Sequence, residues 1–245
     1  MPSVCVVVPC YQEANRLPAE RFLAYVRQEP NVRFCFVDDG STDDTRTVLE
    51  RMQAEQPDRI EALILPRNLG KAGAVRAGML HCVTKLVDYV GFLDADLATP
   101  PEAIDDLAGA LDRRPELDVV MGSRIKHLGV DIRRNPARHY AGRVIATFIS
   151  NLLKLPVYDS QCGAKLFRQR VVADLFAEPF ISPWLFDVEV LARLIQRHGR
   201  AEVLNRVAEF PLKQWVEQHD SRIGAGYVFK VWYELYRIQR AYRNV

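Results

Sequence analysis

The chain has 245 residues, with 33 Lys and Arg against 31 Asp and Glu, for a formal charge of +2. That length supports one large core or two small domains, and the near balance of charge gives no basic field for a nucleic-acid partner. No apolar run approaches the roughly 20 residues of a spanning helix, and the run Val4 to Val8 is too short, and lacks the basic flank, for a signal peptide. Five cysteines form no CxxC pair or metal-like spacing, and their odd number fits a reduced, cytoplasmic chain.

Ser3 to Val8 is a β-branched run, expected of a strand covered on both faces, and Pro9 ends it. The loop 10–16 then carries Tyr11, Glu13 and Asn15. A helix is predicted from Pro18 to about Gln28, and a second strand from Val32 to Val37 delivers Asp38 and Asp39. Ser41 or Thr42 is expected to cap the helix that follows, with Asp43 and Asp44 in its first turn. Ile60 to Leu65 is the third strand. The segment 68–78 reads as a glycine-containing loop entering a helix that reaches about Lys85; its spacing matches neither a Walker loop nor a dinucleotide fingerprint. Lys71 and backbone amides at that helix start suit an anion, and tight packing of the glycines against the sheet explains the pattern equally well.

An apolar run from Val87 to Leu93, broken only by Asp88, ends in Asp94-Ala95-Asp96, and Thr99-Pro100-Pro101 stop the strand. Period-two geometry sends Asp94 and Asp96 to one side of an extended segment. Two such carboxylates make a hard-oxygen site for Mg²⁺ or Mn²⁺ with positions left for phosphate oxygens; a solvated acidic turn is the plain alternative. A helix over 104–111 and a strand over 118–121 ending in Gly122-Ser123-Arg124 complete the pattern. Alternating strands and helices predict an α/β fold with a mostly parallel central sheet and helices on both faces. Ligands of such sheets sit past the carboxyl ends of strands, where Glu13, Asp39, Asp94, Asp96 and Arg124 all fall.

From Arg124 the character changes. Arg124, Lys126, Arg133, Arg134, Arg138 and Arg143 accompany a single acid, Asp131, and Val144 to Leu155 is largely apolar. A helix from about Asn135 to Lys154 would cover the sheet or lie on an anionic membrane. A polar turn over 159–163 enters a short strand, a helix carrying Asp187 runs from Pro183 to about Gly199, and Val203 to Phe210 reads as another strand. The last helix, Ala225 to about Tyr242, places Val228, Val231, Trp232, Leu235, Ile238 and Tyr242 on one stripe with basic flanks. It is open to three uses: packing on the domain, forming a homo-oligomer, or lying in a membrane interface. The expected organisation is a domain over 1–222, with halves 1–124 and 125–222, followed by the amphipathic basic helix 223–245.

Val-Pro-Cys-Tyr-Gln-Glu (8–13), Val-Asp-Asp-Gly-Ser-Thr-Asp (37–43), Asn-Leu-Gly-Lys (68–71), Asp-Ala-Asp (94–96) and Gly-Ser-Arg (122–124) occur in the order found in family-2 glycosyltransferases of the GT-A fold, which the chain resembles. Asp-Ser-Gln-Cys-Gly-Ala-Lys-Leu-Phe (159–167) and Trp-Leu-Phe-Asp-Val-Glu (184–189) are similar to the dolichyl-phosphate β-glucosyltransferase branch. The resemblance implies a nucleotide-sugar donor held by Pro9, Tyr11, Glu13, Val37, Asp39, Lys71 and Ala95. It implies Mg²⁺ or Mn²⁺ on Asp94 and Asp96, with Asp96 the more direct ligand. Arg124 would face donor or acceptor phosphate, and Arg222 stands where the family has Lys. Ala98 occupies a position that is a metal-binding Gln in a related mannosyltransferase branch.

The function expected on this basis is inverting transfer of a sugar, glucose from UDP-glucose above others, to a polyprenyl phosphate by a cytoplasmic enzyme peripheral to an anionic membrane. A phosphate acceptor is already ionised near neutral pH; a hydroxyl acceptor needs a base, for which Asp187 is the first candidate and Asp159 the second. The alternatives are a soluble saccharide acceptor and, in another class, a membrane-surface scaffold with a degenerate nucleotide site. A nucleotidyltransferase would carry a glycine- and basic-rich loop where this chain has Pro9 to Glu13, and a dehydrogenase would carry the glycine fingerprint.

Overall fold

The computed structural model describes residues 2–218 and 227–243. In chain order the elements are β1 (Val4–Cys10), α1 (Ala19–Gln28), β2 (Val32–Asp38), α2 (Thr45–Glu55), β3 (Ile60–Ile64), α3 (Gly70–Cys82), β4 (Tyr89–Leu93), α4 (Ala103–Arg113) and β5 (Val119–Ser123). Then come β6 (Asp131–Arg133), α5 (Pro136–Leu153), β7 (Ala164–Arg168), α6 (Gln169–Phe176), α7 (Phe186–His198), α8 (Arg200–Arg206), β8 (Val207–Pro211), β9 (Gln214–Val216) and α9 (Tyr227–Ala241).

Seven strands form one sheet in the order β3-β2-β1-β4-β7-β5-β8, and β6 pairs with β9 in a separate parallel ribbon. Pairing is parallel except at β7, which runs antiparallel to both β4 and β5. Alternation along β1 explains why it is apolar throughout. Cys5 and Val7 enter the core layer shared with α3, α6, α7 and α9, while Val4, Val6 and Val8 enter the layer shared with α1, α2 and α4. A Cβ on Gly78 of α3 would lie 2.4 Å from Val7 Cγ1, so that glycine lets the helix backbone approach β1.

Several elements differ from the sequence reading, for local reasons. Residues 200–206 are helical and only Val207–Pro211 is strand, because Gly199 at φ +78° breaks α7 and restarts the chain as α8. The segments forming α6 and the β6–β9 ribbon were not anticipated as elements. Neither Ser41 nor Thr42 caps α2, which starts at Thr45. The stripe on α9 is split: Val231, Leu235 and Ile238 are buried in the core, whereas Trp232 lies outside it. Among the described residues, no helix is long and apolar enough to cross a membrane. Arg222, with Ser221, lies outside the described residues.

Candidate functional site

The loops leaving β1, β2 and β3 are stitched together by short polar side chains. Gln12 N donates to Ser41 Oγ (3.0 Å), Gln12 Nε2 to Thr42 Oγ1 (2.7 Å), Glu13 N to Thr45 Oγ1 (2.8 Å) and Ala14 N to Asp43 Oδ2 (3.1 Å). The hydroxyls expected to cap a helix therefore hold the loop 10–14 instead. Asp38 Oδ1 accepts from Ser41 N (3.0 Å), and Asp39 Oδ1 accepts from Leu69 N (2.7 Å). Burial pushes the Asp39 carboxyl above its ordinary range, against the bonds from Leu69 and Gly70 that favour its charge. Glu13 is buried with Arg16 Nε 3.8 Å from Oε2, and Tyr11 is exposed at the mouth. Pro9 is half-buried beside Val37 in the sheet register. Val37 is fully buried in β2, beneath the loops that carry Tyr11 and Asp39.

Past β4, the Asp94–Ala95–Asp96 segment is a turn and not an extension of the strand. Leu97 takes φ +49°, and Ala98 N closes back on Asp96 Oδ1 at 3.0 Å. Burial, then the neighbouring charge of Asp94, pushes the Asp96 carboxyl up. Lys71, in the first turn of α3, places Nζ 2.6 Å from Asp94 Oδ1. Burial alone would lower the Lys71 ammonium, but Asp94 outweighs it and the net direction is up. Ala95 is buried between the two acids. Among the described residues, no group of three or more His, Cys, Asp or Glu converges as a self-sufficient metal cage. Two carboxylates with a raised Asp96 do fit a dication that takes its remaining oxygens from a diphosphate.

The antiparallel strand β7 brings a second set of residues to the same place. Asp94 N donates to Gly163 O (3.0 Å), and a Cβ on Gly163 would lie 2.0 Å from Asp94 Oδ2, so only glycine admits that carboxylate. Two residues on, Lys165 is 2% exposed, with Nζ 2.6 Å from Cys162 O and 2.7 Å from Asp187 Oδ1. Its ammonium also faces the Phe92 ring at 5.2 Å. Asp187, in the first turn of α7, is raised by burial and by Asp94, against the charges of Lys165 and Lys71.

Arg124, just past β5, does not face open solvent. Its Nε and Nη2 each lie 2.7 Å from an oxygen of Asp159, whose Oδ2 also accepts from Arg124 N at 3.0 Å. The guanidinium stands 5.3 Å from the Trp215 ring centroid, and the β6–β9 ribbon holds that ring by pairing Ile132 with Trp215. Burial opposes the charge on Asp159, yet its bonds to Arg124 hold the carboxyl below the usual range. Glu209 of β8 fixes the same loop, accepting from Tyr158 N (2.8 Å) and Asp159 N (2.5 Å). A carboxylate so committed and so acidic is a poor proton acceptor, which weighs against the base role expected of Asp159.

The structure thus gathers Glu13, Asp39, Lys71, Asp94, Asp96 and Asp187 at one end of the sheet, with the Arg124–Asp159 pair past neighbouring β5. Sequence reasoning missed Lys165, Gly163, Glu209 and Trp215. A lysine set between Ala164 and Leu166 in a strand was the available signal for Lys165, but its partner lies 22 positions away.

The description Glycosyl transferase family 2 matches residues 5–176. A dolichyl-phosphate β-glucosyltransferase of Trichomonas vaginalis is 30% identical over 97% of this chain and 71% of its own. The enzyme of that name from Mus musculus is 33% identical over 77% of this chain, and the match spans 62% of the mouse protein. Among solved structures, glucosyl-3-phosphoglycerate synthase from Mycobacterium tuberculosis, in complex with Mn²⁺, UDP-glucose and phosphoglyceric acid, superposes with a TM-score of 0.74 at 17% identity, covering 100% of this chain and 80% of that one. The fold is GT-A.

Proposed function

The chain belongs to glycosyl transferase family 2 and is a glycosyltransferase, and on that premise we propose that it moves glucose from UDP-glucose to a polyprenyl phosphate with inversion. The relatives named dolichyl-phosphate β-glucosyltransferases support this donor and acceptor class. The loops after β1 and β2, with Tyr11, Glu13 and Asp39, hold the nucleoside.

The observation that carries the acceptor class is the pairing of Asp159 and Asp187, the two carboxylates that could serve as a base. Asp159 is bound by Arg124 and Asp187 by Lys165. A hydroxyl acceptor needs a base, whereas a phosphate oxygen attacks already ionised. The acceptor oxygen forms its bond to the anomeric carbon as the bond from that carbon to the UDP oxygen breaks. UDP leaves with the electron pair, and no proton moves. Asp94 and Asp96 would hold Mg²⁺ or Mn²⁺, which when bound supplies positive charge to the departing diphosphate. Lys71, drawn to Asp94 in this structure, is placed to shift toward the same diphosphate.

A second reading, transfer to a hydroxyl acceptor with Asp187 as base, has one observation in its favour: burial raises the Asp187 carboxyl above its ordinary value, the direction a base requires. The deciding experiment follows UDP release from UDP-glucose, UDP-N-acetylglucosamine and GDP-mannose, with Mn²⁺ or EDTA, and with or without a short polyprenyl phosphate. Release from UDP-glucose that requires both Mn²⁺ and the lipid phosphate is the expected result. Donor binding that the lipid leaves unchanged would favour the hydroxyl reading, and no binding of any donor would remove both.

A further inference from the structure

Two helices leave an outer face that the catalytic site does not use. On α5, Tyr140, Val144 and Phe148 recur every four residues and are exposed, while Ile149 and Leu153 turn into the core. On α9, Trp232 is 39%, Tyr233 62% and Tyr236 59% exposed, while Val231, Leu235 and Ile238 turn inward. The two stripes meet where the Phe148 and Trp232 rings pack edge-on, centroids 5.0 Å apart. Lys230, Arg237 and Arg240 are exposed along α9, and Arg243 is exposed just past its end. Segments 134–157 and 227–243 contain one acid between them, Glu234, and it is buried, bonded by the Ser182 hydroxyl. The face is therefore aromatic, apolar and basic, with no exposed acid on these two segments.

We propose that this α5–α9 face docks the protein on an anionic lipid bilayer. The inference rests on the lipid-phosphate reading of the acceptor and names the surface that reaches it. Charge selects the occupant. A second copy meeting the first through this patch would bring its arginines and lysines against their own images with no acid to answer them. An anionic headgroup layer answers all of them, while Trp and Tyr rings settle at headgroup depth and Val144 and Phe148 dip further. The face also adjoins the acceptor side of the site. Arg143 of α5 donates to Tyr158 O at 2.6 Å and stacks on the Tyr158 ring, next to the Asp159 that grips Arg124. Docking through α5 and α9 brings the Arg124 end of the site toward the surface in which a polyprenyl phosphate resides.

The test is flotation of the full-length protein with vesicles of phosphatidylcholine alone or with about 30% phosphatidylglycerol, a fraction chosen to give a strongly negative surface. Two variants are compared with the parent: the aromatic triple W232A/Y233A/Y236A and the basic triple K230Q/R237Q/R240Q. The expected result is partition to the anionic vesicles alone, weakened by salt and reduced at least tenfold in each variant. Equal partition to both vesicle types, or variants that bind as the parent does, overturns the proposal. So does a parent that sediments as a dimer and becomes monomeric in the aromatic triple, since the face then belongs to a second copy. A parallel assay with detergent-dispersed short polyprenyl phosphate keeps the two readings apart. Variants that lose vesicle binding and keep this turnover support the docking face. A parent without turnover but with anionic partition leaves the face standing and sinks the proposed reaction.

Discussion

In the first half of the chain, acids gather faster than cations; beyond Arg124, Asp159 and Asp187 each have their own base. Glu13, Asp38, Asp39, Asp94 and Asp96 collect past β1, β2 and β4 around Lys71 and Arg16. Asp159 and Asp187, by contrast, are held by Arg124 and Lys165. The first arrangement stores repulsion that a bound cation relieves, so it is built to be completed from outside. The second is already complete, so removing either partner strands the other in a medium that does not solvate it. Like side chains at similar burial can therefore be sensitive for opposite reasons.

The largest test of that contrast is Lys165→Met. It leaves Asp187 buried without its ammonium and should cost about 3–5 kcal/mol in chemical denaturation, while K165M/D187L recovers most of the loss. A Lys165→Met protein as stable as the parent would mean that the pair contributes nothing to the second half. Next is Asp96→Ala, expected to lower Mn²⁺-dependent turnover of UDP-glucose a hundredfold or more, about 3 kcal/mol in the barrier. The metal-free variant should be no less stable than the parent, opposite in sign to Lys165→Met. Unaltered metal-dependent turnover would remove the metal role of Asp96.

Proton linkage should separate the halves by effects on the order of 1 kcal/mol. Asp159 is held below its ordinary value of 3.8, so its contribution is present above that pH and is lost as pH falls through its folded value. D159N should flatten the acid limb of stability. Asp96 is raised from 3.8, so its ionisation costs stability as pH climbs from 3.8 toward its folded value, and D96N should gain over that window. Thermal melts of metal-free protein between pH 3 and 7 measure both slopes; the same sign for both variants would erase the distinction. The smallest effect expected is that of Asp187→Asn on transfer to polyprenyl phosphate, a few-fold loss per folded molecule. A loss of a hundredfold or more would identify a base and return the acceptor to the hydroxyl class.

The first half was legible because its elements are local. Each strand is a short apolar run, each ends in polar residues, and the crossover rule places those ends together. Asp94 and Asp96 were placed past the end of β4 that way, although the turn at Leu97 replaces an extended geometry. The second half resisted because its determinants lie far apart in sequence. Nothing local to Ala164–Arg168 says that it runs antiparallel between β4 and β5, and nothing local to Lys165 announces Asp187. Arg124 was placed at the correct strand end, but its partner became visible only once Asp159, 35 positions on, was brought beside it. Of the stripe expected on α9, Val231, Leu235 and Ile238 are claimed by the core with Tyr242 packed against it, and Trp232 is left outside.

The position of β7 also sets an order of assembly. Strands β1 to β4 can pair with one another as soon as residue 93 exists, since the pairs β1–β2, β2–β3 and β1–β4 all lie within residues 4–93; the other neighbour of β4, β7, joins later. The fifth strand cannot join them. Among the described residues its sheet partners are β7 and β8, so residues 119–123 stay without a sheet neighbour until at least residue 168 has been synthesised. During synthesis from the N-terminus, the layers around β1 to β4 can therefore form before the strand that presents Arg124 has anywhere to attach. A chain cut anywhere between residues 124 and 163 keeps β5 but lacks both strands that hold it.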